Sequence, residues 1–466
     1  MFLFEKTTYI SRREKLKKSV GEGVLLFLGN NESSCNYPNN QYLFRQDSTF
    51  LYYFGLDKPD LAAIIDLETG EETIFGDDVD IDDIIWMGPQ PLLRDEAARV
   101  GVAHTQPLSK LEDCLKAAVA KGRKVHFLPP YRDHNKIMLH KMLGIPFEEL
   151  KQAASLDFIL GVVSQRLIKE PCEIEQIERA CDLGYAMHYT AMQMMKPGMV
   201  EQELVGVMEG VCIGGGYMTS FATILSQHGE TLHNHNHDGI LTDGKLCVID
   251  AGAEIASHYA SDFTRTWPCS GKFTQKQKDV YTIVSTANNF ALDMARPGIT
   301  YKDVHLGASK IILQGLSNLG LIHGDIDEMC AAGVQGLFMP HGLGHNMGLD
   351  VHDMEDLGEN NVGYGPGQER AKQLGLGSLR MARLLEPGQV ITDEPGIYFI
   401  PALIEKWKKE GTNAQYINFD KLEAYYDFGG IRLEDDVLIT EKGARLLGTK
   451  RLPITVEEVE EAMKNN

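Results

Sequence analysis

Four short segments in the second half of the chain concentrate side chains that bind metal ions. "LCVIDAGAEIASHYASDFTRTWP" carries Asp250 and Asp262, and "FMPHGLGHNMGLDVHD" carries His341, His345 and His352. "LEPGQVITDEPGIYF" carries Glu394, and "GGIRLEDDVLIT" carries Glu434. Each acid follows an apolar run of β type or a glycine turn, so strands deliver all of them. Taken singly, an acid beside a turn is solvated or caps a backbone group. Four such acids pointed into a core need cations, because unpaired buried carboxylates are very costly. Four carboxylates and one imidazole form a hard, oxygen-rich set that suits Mn²⁺, Fe²⁺ or Co²⁺ better than a structural thiolate site suits zinc. That many acids also suit two metals, with some carboxylates bridging. A further segment, "ETLHNHNHDG", carries His233, His235 and His237. Alternation puts all three on one side of an extended segment, so periodicity does not choose among them.

The elements that must position these residues are legible in outline. "IKEPCEIEQIERACDLGYAMHYTAMQMMKPG" reads as a long amphipathic helix with Ile174, Ile177, Leu183, Met187 and Thr190 on roughly one face. "TQKQKDVYTIVSTANNFALDMARPG" resembles it. Both helices stop at a Pro-Gly pair, Pro197-Gly198 and Pro297-Gly298, and a polar, acidic helix start follows each. This pattern is that of an internal duplication, or of two common stop signals. The first 160 residues or so alternate strands and helices and bring together no cluster of catalytic side chains. There "GEGVLLFLGN" and "DLAAIIDLETGEETIFG" read as strands, the second turning at Glu68-Thr69-Gly70, and "HTQPLSKLEDCLKAAVAKGRKVHFL" reads as a helix followed by a strand. Lys169 to Pro171 marks a boundary between two domains, 1–165 and 170–455.

Composition limits the function classes. A chain of 466 residues is too long for one ordinary core. Its apolar fraction of 43% and charged fraction of 24% are those of a soluble enzyme. The formal charge of -21, from 66 acids and 45 bases, argues against a nucleic-acid footprint and gives no reason to expect an anionic membrane. The first residues have too short an apolar run for a signal peptide, and no stretch approaches the roughly 18 apolar residues of a membrane span. Eight scattered cysteines form no CxxC and no zinc spacing. They read as reduced packing residues in a cytoplasmic setting.

The metal-type segments resemble the pita-bread metallopeptidases, the family of methionine aminopeptidase, aminopeptidase P and prolidase. The resemblance implies an α+β architecture: an N-terminal creatinase-like α/β domain and a C-terminal pita-bread domain, a curved antiparallel sheet covered by helices. It implies five ligands for two divalent ions, manganese first. Asp250 in "IDAG" is similar to the terminal carboxylate on one metal, and Asp262 in "SDFTRT" to a bridging ligand. His345 in "HGLGH" corresponds to the single histidine ligand, and Glu394 in "EPGIY" to a ligand of the second metal that also handles the water proton. Glu434 in "IRLEDD" corresponds to the second bridge. Asp250 and Asp262 stand twelve positions apart, one more than in the family, and the added residue falls in the turn "AEIASHY". "YLFRQDSTFLYYFGLDKPDLAAIID" and "IWMG" resemble the N-terminal domain of aminopeptidase P and prolidase, which methionine aminopeptidases lack. Creatinase shares the fold but not the ligands.

What the resemblance implies about activity is hydrolysis of the bond before a proline at the second position of a peptide. Glu394 is then the general base, and His233, His341 and His352 are catalytic-site histidines that bind substrate and shuttle protons. His233 lies seventeen positions before Asp250, the family spacing, and His235 and His237 are loop bystanders. Arg432 matches an arginine that organises the bridging carboxylate, and with Arg380 it is expected to line the substrate site. Arg380 in "SLRMAR" matches a prolidase arginine that pairs with a free substrate carboxylate. The spacing of His233 points to aminopeptidase P, which accepts longer peptides, and Arg380 points to prolidase, a dipeptidase. A metal-free binding module of the same fold, or a hydrolase of organophosphates, is disfavoured by the complete ligand set. Family members of this kind are homodimers or homotetramers.

Overall fold

A computed structural model describes residues 3–365 and 368–464. The chain divides into two compact units: Met1–Arg166 with Glu355–Asn361, and Leu167–Met354 with Val362–Asn466. The crossing of Glu355–Asn361 into the first unit has no signal in the sequence.

The first unit is built on a five-stranded mixed sheet. Val24–Leu28 pairs antiparallel with Ala62–Asp66 and parallel with Val125–His126. Ala62–Asp66 continues antiparallel to Glu72–Phe75. The turn between those two is made by Asp66, whose carboxylate accepts the amides of Glu68 and Thr69. Gly70 follows in the left-handed region at φ 77, as the Glu68-Thr69-Gly70 reading requires. The segment read as helix then strand holds more. His104–Gln106 is itself a strand, parallel to Glu72–Phe75, ahead of the helix Leu111–Ala120. Three residues added to a sheet edge by main-chain bonds carry no periodicity to read.

In the second unit the helix Pro171–Met194 starts with proline at its first position and a Glu170/Glu173 capping box. Its buried stripe runs through Glu173, Ile177, Ala180, Gly184, Met187 and Ala191. Ile177 and Met187 lie on it as expected, whereas Ile174, Leu183 and Thr190 flank it half-buried. The small residues Ala180 and Gly184 displace the stripe toward themselves, because they let the helix approach the strand that follows Asp262.

The duplication is present in the structure. Pro171–Met194 packs on Glu201–Gly215, and Gln275–Met294 packs on Tyr301–Asn318. Each pair is joined through its Pro-Gly, with Gly198 at φ 91 and Gly298 at φ 86. The following residues bond alike. Leu241 donates to Met199 O and Leu385 to Ile299 O, and Glu201 N donates to Gly239 O as Tyr301 N donates to Arg383 O. The strands that come next, Leu246–Ala251 and Val390–Asp393, lead to Asp250 and Glu394. All strand pairings in this unit are antiparallel among the described residues. No helix among them is long and apolar enough to cross a membrane.

Candidate metal centre

Strands and their ends carry the four acids, and a loop carries His345. Asp250 lies in Leu246–Ala251, opposite Thr264 of the antiparallel strand Phe263–Pro268, and Asp262 immediately precedes that second strand. The arms meet closely at Gly252, where a Cβ would fall 1.8 Å from Ser261 O. Only glycine fits there. The long turn beyond is closed by His258, whose Nδ1 lies 2.6 Å from Glu254 Oε1. Its backbone is left-handed at φ 67. Glu394 follows Val390–Asp393, and its amide donates to Leu343 O at 2.8 Å. Glu434 separates Gly430–Arg432 from Asp435–Ile439, and its amide donates to Thr264 O at 2.9 Å.

Ligand atoms of Asp262, His345 and Glu434 lie within 4.8 Å of one another. His345 Nε2 is 3.3 Å from Asp262 Oδ2 and 3.9 Å from Glu394 Oε1. Its other nitrogen, Nδ1, sits 3.0 Å from Asn346 O. A carbonyl accepts only, so Nδ1 carries the proton and Nε2 turns its lone pair toward the acids, as a metal-ligating imidazole held from behind does. Burial, and then the neighbouring acids, hold the carboxyls of Asp262 and Glu434 well above the ordinary range. Burial also raises Glu394. Asp250 Oδ1 and Asp262 Oδ1 are buried with no hydrogen-bond partner. Four carboxylates face the guanidinium of Arg432, with Arg380 acting on Glu394 as well, and cations would offset the remaining negative charge. These orphaned oxygens and the hard donor set fit such ions.

Arg432 is a clamp on the protein itself. Its Nη2 donates to Asp250 Oδ2 at 2.6 Å, its Nη1 to Tyr398 Oη at 2.7 Å, and its Nε to Thr264 Oγ1 at 3.1 Å. Thr264 donates in turn to Glu434 Oε2 at 2.5 Å. Arg432 thus orients the bridging candidate Glu434 through Thr264 and grips Asp250 directly. Tyr398 was not singled out in the sequence, although it stands in "EPGIYF". It lies 2.9 Å from His341 Nε2, while His341 Nδ1 is 2.7 Å from Gly342 O. The carbonyl again fixes the tautomer: Nδ1 donates, and Nε2 accepts the Tyr398 proton. Burial, with help from Arg432, lowers the pKa of His341 to about 3, so the ring is neutral at physiological pH.

The ring of His352 stacks on that of His345, with centroids 3.9 Å apart at 19°. His233 lies in a loop at the rim. The residue is exposed, and desolvation and then Arg432 lower its pKa, with Asp250 opposing and His235 and His352 adding to the shift. His237 is structural: its Nδ1 meets Leu225 O at 3.0 Å. His235 is exposed. Arg380 follows a short 3-10 turn, Leu376–Ser378, and its charge acts on Glu394.

A cage of strand-borne carboxylates closed by one rear-supported imidazole, set among antiparallel strands and helix pairs, suits a metal-dependent hydrolase. The profile of metallopeptidase family M24 matches residues 175–441, and that of the aminopeptidase P N-terminal domain matches 9–126. The chain belongs to the M24 metallopeptidases, with the pita-bread fold. It is 33% identical to human Xaa-Pro dipeptidase, over 97% of this chain and 91% of the relative. It is 32% identical to a probable Xaa-Pro aminopeptidase of Verticillium alfalfae, over 95% and 92%. A variant of Escherichia coli aminopeptidase P in complex with substrate superposes with a TM-score of 0.82 at 29% identity, covering 99% of both chains.

Proposed function

We propose that this metallopeptidase is an Xaa-Pro aminopeptidase, removing the first residue from peptides with proline second. The observation that carries this reading is the convergence of Asp262, His345 and Glu434 beside Glu394 and the Arg432-clamped Asp250. We assign these five as ligands of two divalent ions, manganese first. When bound, such ions supply Lewis acidity and lower the pKa of a shared water. Glu394, with a raised pKa, accepts the proton of the attacking water and carries it toward the leaving imino nitrogen. His352 and His233 line the substrate side as hydrogen-bond donors for the developing oxyanion. His341 keeps Tyr398, and through it Arg432, in place. Arg380 offers a guanidinium to the substrate's C-terminal side. The enzyme works in the cytoplasm as a homodimer or homotetramer.

The second reading is Xaa-Pro dipeptidase, favoured by Arg380 near Glu394 and by the human relative. One experiment separates the two: rates on an Xaa-Pro dipeptide and an Xaa-Pro-Xaa tripeptide with Mn²⁺ added. Tripeptide cleavage is expected, and cleavage of the dipeptide alone overturns the aminopeptidase reading. Asp262→Asn serves as control, and it is expected to lose bound metal and nearly all turnover while its circular dichroism is unchanged.

A further inference from the structure

The loop from His341 to Met354 carries three of the site's imidazoles, yet most of it has no regular secondary structure. Its shape is set by local bonds. The Asp353 amide donates to Asn346 O at 3.0 Å, the Gly348 amide to Asp350 O at 3.0 Å, and the Ala260 amide to Gly348 O at 3.0 Å. At the centre of this fold lies a buried ion pair. Lys169 Nζ is 3.1 Å from Asp353 Oδ2, and both side chains are 1% exposed. Asp353 Oδ1 accepts the Asp350 amide at 3.3 Å. The packing is tight: a Cβ at position 348 would fall 2.6 Å from Asp353 Oδ2 and 3.0 Å from Lys169 Cε. Met354, next in the chain, is left-handed at φ 63, a conformation that a bulky side chain takes only when its surroundings impose it. Asp353 directly follows His352, the ring stacked on His345.

We propose that Lys169 and Asp353 form a positioning pair that holds His352 against His345, and so orients the imidazole ligand. The proposal rests on the metal-site reading above. A buried ion pair contributes little net stability compared with apolar side chains of similar volume. Geometry is what such a pair supplies: it fixes one direction for Asp353 and, through it, for the residue before.

The test separates stability from geometry. Lys169→Met alone takes the ammonium partner from the buried Asp353 carboxylate, and the melting temperature falls. Lys169→Met with Asp353→Leu removes both charges, and the metal-free melting temperature recovers. In this double variant kcat on an Xaa-Pro-Xaa tripeptide stays at least about tenfold down, with KM moving far less. Its Mn²⁺ dissociation constant, measured by calorimetry, rises about 10–100-fold. Recovery of melting temperature, metal affinity and kcat together makes the pair a stability element only and overturns the proposal. Should the double variant not regain its melting temperature, Lys169→Arg decides, because a planar guanidinium keeps the charge and shifts Asp353. Reduced metal affinity in that variant supports the proposal, and parental affinity and kcat overturn it. A parent protein that binds Mn²⁺ but leaves Xaa-Pro peptides intact sinks the proposed function and not the pair, since metal affinity is read without substrate.

Discussion

Tyr398 is the residue on which the site's hydrogen bonds turn. Its hydroxyl oxygen accepts from Arg432 Nη1 while its proton goes to His341 Nε2. Phenylalanine at this position leaves both partners short of a bond in a buried place, at about 1–3 kcal/mol. Arg432 then swings on its two remaining anchors, Asp250 and Thr264. For Tyr398→Phe we expect kcat/KM on an Xaa-Pro-Xaa peptide to fall roughly 10–100-fold, the kinetic equivalent of that energy, with metal content near parental. Steady-state kinetics with elemental analysis check both halves, and an unchanged kcat/KM would remove Tyr398 from the machinery. The acids were legible as residues, because aspartate and glutamate at strand ends stand out. Tyr398 was not: a tyrosine after glycine in an apolar strand reads as core, and its partners lie 57 and 34 positions away.

At the scale of elements, the hairpin of Leu246–Ala251 and Phe263–Pro268 sets the distance between Asp250 and Asp262. Gly252 permits its closure, since a Cβ there would meet Ser261 O at 1.8 Å. Gly252→Ala therefore forces the arms apart, at about 1–3 kcal/mol or more. Both a lower denaturation midpoint and weaker Mn²⁺ binding are expected, because the two carboxylates move with their arms. Parental metal affinity in a destabilised variant would show that the ligands do not depend on this closure. The strands carrying these acids were readable from apolar runs, and the Pro-Gly stops marked both helix pairs. The rotation of the first helix's stripe was not readable, because small residues buried by close approach carry little hydrophobic signal.

At the scale of the molecule, the carboxylate cage couples stability to pH and metal. The carboxyls of Asp262 and Glu434 sit well above their ordinary values of 3.8 and 4.5. Without metal, these two carboxyls therefore hold more protons in the folded than in the unfolded chain above pH of about 4. Stability that is full below the ordinary values is lost as pH rises through the raised ones. Metal displaces those protons, so its affinity rises with pH. The gain in melting temperature from Mn²⁺ over a chelator should be larger at about pH 7.5 than at about pH 5. An equal gain at both would mean that the cage does not bind the metal through ionised acids. The sequence by itself supplied the inventory of two units and the strand-borne acids Asp250, Asp262, Glu394 and Glu434, because strand delivery and donor chemistry are local properties, while the family resemblance marked His345 among its neighbouring histidines. Tertiary structure alone decided how these groups are held. The clamp of Arg432, Tyr398 and His341 and the Lys169–Asp353 pair both depend on contacts between distant segments. Periodicity and spacing carry no record of such contacts.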